Sequence, residues 1–439
     1  MIAIVVSRAD SASVHIGEHL LDLADWDERV DDSLPDGEGG GTVSYTNGFE
    51  LREFDDWHLH LDGVAERFSD PELLVFASRH SGETGPLLTA HHTGNFGEAA
   101  YGGRDRTLAE ACPAAHHRVV RSLGEYAPEG YDVGIECTHH GPTGVGAPSM
   151  FVELGSGPEQ WEDAEAARAV ARAILELRGA SPHGDRTVVG FGGGHYAPRF
   201  TRIVRETPWA VGHVAADWSL SELGDPEGNR GLIEATFERS GAALALFDGD
   251  NPDLERVIDS LGYRIVSETW LRESASRPRS LVDEVESELG AVDDGVRFGE
   301  QVIDAGGVLG ALPTALVERA RAIDADAVRG AVESTTVAFE TEQSGTEIGD
   351  RAVFADPGDR EALVSTLVSI LDREYGVERE EGVVVIREEA FDPALAREVG
   401  VGEGPAFGRL ANGESVEVDG ERIDPERVHR EHIERLPTG

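Results

Sequence analysis

The chain has 439 residues, with 84 Asp and Glu against 38 Lys and Arg, a formal net charge of −46. At 40% hydrophobic residues it has the apolar material for folded domains, and its length points to two or three of them. Two cysteines, Cys112 and Cys137, exclude a disulfide scaffold and a closed thiolate metal site.

Residues 2–6 (IAIVV) form an apolar run that ends in Ser7, Arg8 and Asp10, the pattern of a buried strand with a polar end. Residues 31–48 begin acidic and glycine-rich and read as a loop. Residues 73–77 predict a second buried strand, followed by Ser78, Arg79 and His80. Thr107 and Glu110 match a capping box. Residues 133–135 lead into Glu136, Cys137, Thr138, His139 and His140, and residues 150–154 read as another short strand. The clearest helix is 158–178: Pro158 suits the first position, acids fill the first turns and Gly179 follows the end. Residues 187–191 predict a strand running into Gly192, Gly193, Gly194 and His195. Residues 242–247 and 264–266 read as strands around a helix at 253–261. Buried strands alternating with helices indicate an α/β domain over 1–270. From 271 to 439 the texture changes to short acidic helices, such as 314–322 and 361–374. Residues 404–420 read as a small β-hairpin with turns at Asn412-Gly413 and Asp419-Gly420.

The charge is not a tail. Residues 1–270 hold 46 acids and 20 arginines, residues 271–439 hold 38 and 18, and no lysine occurs. An even acidic surface without lysine reads as adaptation to molar salt, where the Debye length is about 3 Å or less and self-repulsion is screened. The charge therefore does not exclude an RNA substrate. No segment has the 18 or so uninterrupted apolar residues of a membrane span, and residues 1–10 lack the pattern of a secretory signal, so a cytoplasmic protein is expected.

Sixteen histidines are present, and several follow predicted strands: His80, His91 and His92, His139 and His140, His195, and His213 near Asp217. Loops at strand C-termini line the crevice of open α/β sheets, and histidine with carboxylate suits an open catalytic zinc site. His58, His60, His116, His117, His429 and His432 lack that context. Gly192 to Gly194 allow close backbone approach to a phosphate or form a tight turn. Arg199 could meet an anion or an ion-pair partner. Cys137 beside Glu136 makes a poor nucleophile, since a carboxylate raises a thiol pKa.

Taken in order, SRADSAS, SRHSGETGPLLTAHHTGN, ECTHHGPT and GFGGGHYAPRFT resemble the zinc-dependent D-aminoacyl-tRNA deacylases of archaea and plants, over about residues 1–270. With no lysine, the chain is similar to what a haloarchaeal member would be. The resemblance implies a three-layer α/β/α domain with a mixed sheet, phosphorylase/hydrolase-like, to which the acidic C-terminal α+β extension is added. It implies hydrolysis of the ester joining a D-amino acid to tRNA, with Zn²⁺ as cofactor and the acceptor end of D-aminoacyl-tRNA as partner. On it we expect Glu136, His139 and His195 as catalytic residues and His80, His91, His92 and His140 as metal ligands. Gly192, Gly193, Gly194, Thr138 and Arg199 are expected to bind substrate. A monomer without DNA or membrane partners is expected. Two other readings stay open: a zinc-dependent peptidase or amidohydrolase on small acyl-amino acids, and a non-catalytic tRNA- or nucleotide-binding protein.

Overall fold

The structure, a computed structural model, describes every residue except Ala305, Asp419 and Gly439. It divides into two units, Met1–Ala275 and Ser276–Gly439.

The first unit is built on an eight-stranded mixed sheet. Its strands are β1 (Ile2–Ser7), β2 (Asp27–Asp31), β3 (Gly41–Thr46), β4 (Phe49–Phe54), β5 (Leu73–Arg79), β6 (Leu87–His91), β9 (Asp132–Ile135) and β10 (Ser149–Gly155). Between β6 and β9 lies a separate two-residue pair, β7 (Gly94–Asn95) and β8 (Thr107–Leu108). The order is β2-β3-β4-β1-β5-β10-β6-β9. Strands β4, β1, β5 and β10 are parallel, whereas β6 pairs antiparallel with β10 and carries β9 parallel to itself. The runs at β1 and β5 are buried almost throughout, which is why they read as continuous apolar sequence. Helix α1 (Ser11–Leu23) starts at Asp10, whose carboxylate accepts from the Ala12 and Ser13 N–H groups. A second sheet of four parallel strands, β12-β11-β13-β14 (Ala210–Ala215, Thr187–Gly192, Leu244–Asp248, Arg264–Ile265), has helices in each connection. The strand expected at 264–266 is thus present as a two-residue edge.

Four local expectations are corrected. The stretch 31–48, expected as a loop, holds β3, which pairs with β2 and β4. The helix expected at 158–178 is two, Pro158–Trp161 and Ala164–Leu175, because Asp163 turns out of the helix and caps the second through the Glu165 and Ala166 N–H groups. The Thr107 capping box opens no helix: Thr107 and Leu108 pair with β7, and the next helix is α2 (Pro113–Tyr126). The stretch 404–420 is only half hairpin. Pro405 starts a helix to Ala411, and Asn412-Gly413 close it, with Gly413 at φ 79°. The hairpin is Val416–Val418 with Glu421–Ile423; Asp419, in its expected turn, lies outside the described residues.

The second unit contains a four-stranded sheet in the order Val296–Phe298, Ala338–Glu342, Glu347–Phe354, Val308–Ala311, and a three-stranded one in the order Gly376–Glu380, Val383–Phe391, His429–Pro437. Its own core includes Leu316, Val332, Phe339, Phe354, Leu367 and Val384. No helix among the described residues is long and apolar enough to cross a membrane.

Candidate active site

Strand direction decides where the chemistry collects. Because β6 and β9 run against β5 and β10, their C-termini do not share one edge of the sheet. The side chains meet on one face instead. Alternation puts Thr89 and His91 on the same side of β6 and Phe151 and Glu153 on the same side of β10. The register sets His91 opposite Phe151 and Thr89 opposite Glu153. Glu136, His139 and His140 come from the turn after β9, His80 follows β5, and His195 follows β11. Together they line a cavity of about 740 Å³.

Glu136 is 3% exposed. Its Oε1 accepts from Thr89 Oγ1 at 2.6 Å and its Oε2 from His195 Nε2 at 2.8 Å. His139 Nε2 is 3.7 Å from Oε2 and His80 Nε2 is 3.9 Å from Oε1. Burial pushes the carboxyl up, but these imidazoles outweigh it and hold Glu136 well below the usual carboxylate range. His195 lies between Cys137 Sγ, 3.5 Å from its Nδ1, and Glu136; both partners push its imidazole up to about 10. His80 is fixed by Ser156 Oγ at 2.9 Å and by the Tyr196 hydroxyl at 3.3 Å, and burial lowers its pKa. Glu153 Oε1 is 3.6 Å from His91 Nε2. Burial pushes the Glu153 carboxyl up to about 7, while Glu153 raises His91 against the effect of its own burial.

Three imidazoles have the chemistry of a metal site. One ligand atom from each of His91, His139 and His140 lies within 4.8 Å of the others. The Nδ1 of each meets a backbone carbonyl: His92 O at 3.2 Å, Cys137 O at 2.8 Å and Gly141 O at 2.7 Å respectively. A carbonyl only accepts, so each Nδ1 carries the proton and each Nε2 keeps its lone pair. His91 Nε2 is buried with no hydrogen-bond partner, and burial, the largest cause, holds His139 and His140 neutral. The donor set therefore fits a divalent cation. Cys137, His139 and His195 form a second such group, but there Cys137 and Glu136 together hold His195 protonated.

Other expected residues are placed elsewhere. His92 follows His91 and points to the opposite side. It packs against His116 and His213, with ring centroids 4.6 and 5.7 Å away, and its Nδ1 faces Gly212 O at 3.3 Å. Thr138 is buried, its hydroxyl bonded to His213 Nδ1 at 3.0 Å and accepting from the Val214 N–H. The glycine run turns inward. A side chain on Gly192, at φ 91°, would meet Asp248 O, and the Gly193 N–H already donates to Asp217 Oδ1 at 3.2 Å. Arg199 lies between Asp248 and Glu268, at 3.7 and 3.6 Å, and is not among the cavity residues. Conversely, Thr89, Glu153 and Tyr196 were passed over. Glu153 had a signal, as the lone acid within an apolar strand.

Burial of His58, His116 and His213 lowers their pKa values to about 3, 4 and 4. Below pH 6.5 the unfolded chain binds protons at these positions and the folded chain does not, so stability falls as pH drops. The loss reaches on the order of 3 kcal/mol per site by pH 4. Thermal melts in molar KCl should show the midpoint falling from pH 6.5 to 4.5, less steeply in His116→Leu. Equal midpoints across that range would refute the sign.

A family model described as D-aminoacyl-tRNA deacylase matches residues 67–266. The chain is 57% identical to the D-aminoacyl-tRNA deacylase of Halorubrum lacusprofundi, over 100% of this chain and 97% of that one. It is 55% identical to that of Natronomonas pharaonis, over 98% of each, and 35% identical to that of Methanoregula boonei, over 97% and 96%. A crystal structure of a conserved protein of unknown function is similar at 29% identity with a TM-score of 0.56, covering 62% of this chain and 96% of that one.

Proposed function

The chain belongs to the D-aminoacyl-tRNA deacylase family, hydrolases of the aminoacyl-tRNA ester bond, and from that membership we propose that the Glu136 centre carries out the hydrolysis. The observation that carries this reading is the pair Glu136–His195, joined at 2.8 Å in the lining of the cavity. Glu136 is ionised and held by Thr89, so it accepts the proton of an attacking water. His195 is charged at neutral pH, so it donates a proton to the leaving ribose oxygen. The proton gained by Glu136 then returns to His195 along their hydrogen bond, and the site is restored. His80, held by Ser156 and Tyr196, borders the same carboxylate, its Nε2 3.9 Å from Oε1.

His91, His139 and His140 are the residues that would hold the metal. Neutral imidazole donors favour Zn²⁺ over Mg²⁺ or Ca²⁺, and a bound cation supplies Lewis acidity toward the ester carbonyl. On this reading the partner is the acceptor end of D-aminoacyl-tRNA in the cytoplasm, and the catalytic unit is an α/β/α layered domain.

The test is release of D-Tyr from D-Tyr-tRNA in molar KCl, with and without a chelator, beside L-Tyr-tRNA. Equal release from both tRNAs would sink the reading. Metal content provides a separate expectation. His140→Ala should weaken zinc binding by more than about a hundredfold, a loss at least that of an outer-shell change, while His92→Ala should leave the stoichiometry unchanged. Elemental analysis of the purified variants reads both.

A further inference from the structure

Arg79 is the one arginine among the residues lining the cavity. Its guanidinium carbon lies 4.5 Å from the centroid of the Trp57 ring and 4.6 Å from that of Trp161, so two indoles flank it. Trp161 is itself anchored beside the site, its Nε1 donating to His80 O at 2.9 Å. Asp10 takes the Arg79 backbone N–H at 3.0 Å, but the Arg79 side chain has no hydrogen bond or ion pair among the described residues. Elsewhere in this acidic chain carboxylates capture arginines: Arg8 meets Asp36, Glu53 and Asp55, and Arg202 meets Glu268. The cavity is a local exception. Among the described residues, the only carboxylates lining it are Glu136 and Glu153, both buried and both facing histidines.

We propose that Arg79 is a phosphate-binding residue, taking the phosphodiester that joins the terminal nucleoside of the aminoacyl-tRNA to the rest of the chain. The assignment rests on the deacylase reading for its substrate, and its chemistry comes from the side chain. Aromatic faces on two sides hold the guanidinium through its π-surfaces and leave its N–H edge for a bidentate contact with phosphate oxygens. The rings also exclude water and counterions, so this contact is screened less by molar salt than one on an open surface. Lysine offers no such planar edge.

The test uses the full chain in molar KCl, with adenosine 5′-monophosphate and adenosine as calorimetric probes. The wild type should bind the monophosphate at least tenfold more tightly, and Arg79→Gln should remove that preference. Arg79→Lys, which keeps the charge and loses the fork, should retain a reduced one; it takes over the comparison if Arg79→Gln does not fold by circular dichroism. In kinetics, Arg79→Gln should raise KM for D-aminoacyl-tRNA by about ten- to a hundredfold, a change in KM exceeding any change in kcat, and should penalise D-aminoacyl-adenosine at least tenfold less. Equal binding of the two probes by wild type, or a preference unchanged in both variants, overturns the assignment. A phosphate preference that depends on Arg79 in a protein that releases no D-amino acid would uphold the subsite and refute the deacylase reading.

Discussion

Glu136→Gln is expected to lower kcat/KM for D-aminoacyl-tRNA by about 10²- to 10⁴-fold, the range of a general base. The substitution preserves shape, and the amide oxygen can still accept from Thr89 Oγ1. It removes the charge, and with it two functions. The site loses its proton acceptor, and His195 loses the carboxylate that, with Cys137, lifts its pKa to about 10. The His195 titration, followed by NMR, should move down toward the ordinary imidazole value near 6.5. That shift distinguishes a catalytic loss from a folding defect, since an unfolded variant would show all its imidazoles at the ordinary value. A well-folded Glu136→Gln protein that loses less than tenfold activity would remove Glu136 from the chemistry.

The second large effect is on folding. Transfer from molar KCl to about 0.01 M raises the Debye length from about 3 to 30 Å, and the −46 charge then repels itself across much of the molecule. Arginines cannot neutralise it, since 38 of them face 84 acids. Even an arginine that meets three carboxylates, as Arg8 does, does so at exposed positions where ion pairs contribute little. Lowering KCl should therefore unfold the protein cooperatively, with loss of far-UV circular dichroism and of activity, and chloride salts of different cations should act mainly through ionic strength. Unchanged ellipticity at 0.01 M KCl would show that packing alone outweighs the repulsion.

Much of this architecture was legible because burial leaves a mark on composition. Strands β1 and β5 announced themselves as unbroken apolar runs, and the histidines and Glu136 stood out as polar residues beside them. What could not be read was strand direction. Nothing in LLTAHHTGN states that β6 runs against its neighbour β10, and that reversal carries the site from a sheet edge to a sheet face. The pair His91–His92 was read as one unit, although a period of two sends adjacent side chains to opposite sides. The glycines at 192–194 had two readings. The closeness of Asp248 O and Asp217 favours the tight turn, and only the tertiary fold brings those acids there. Arg199 and Arg79 are equally plausible anion binders by sequence; the distinction is which one the acids leave alone.

The two-sidedness of β6 bears on how such a chain can change over generations. One residue inserted between Leu87 and His91 would exchange the faces of His91 and His92, turning a candidate ligand toward the buried imidazole cluster and setting Ala90 in its place. A substitution on this strand alters one face, whereas a change in its length would rewrite both faces together. Length variation is instead expected where neither face is committed, as in the exposed acidic segment between β2 and β3.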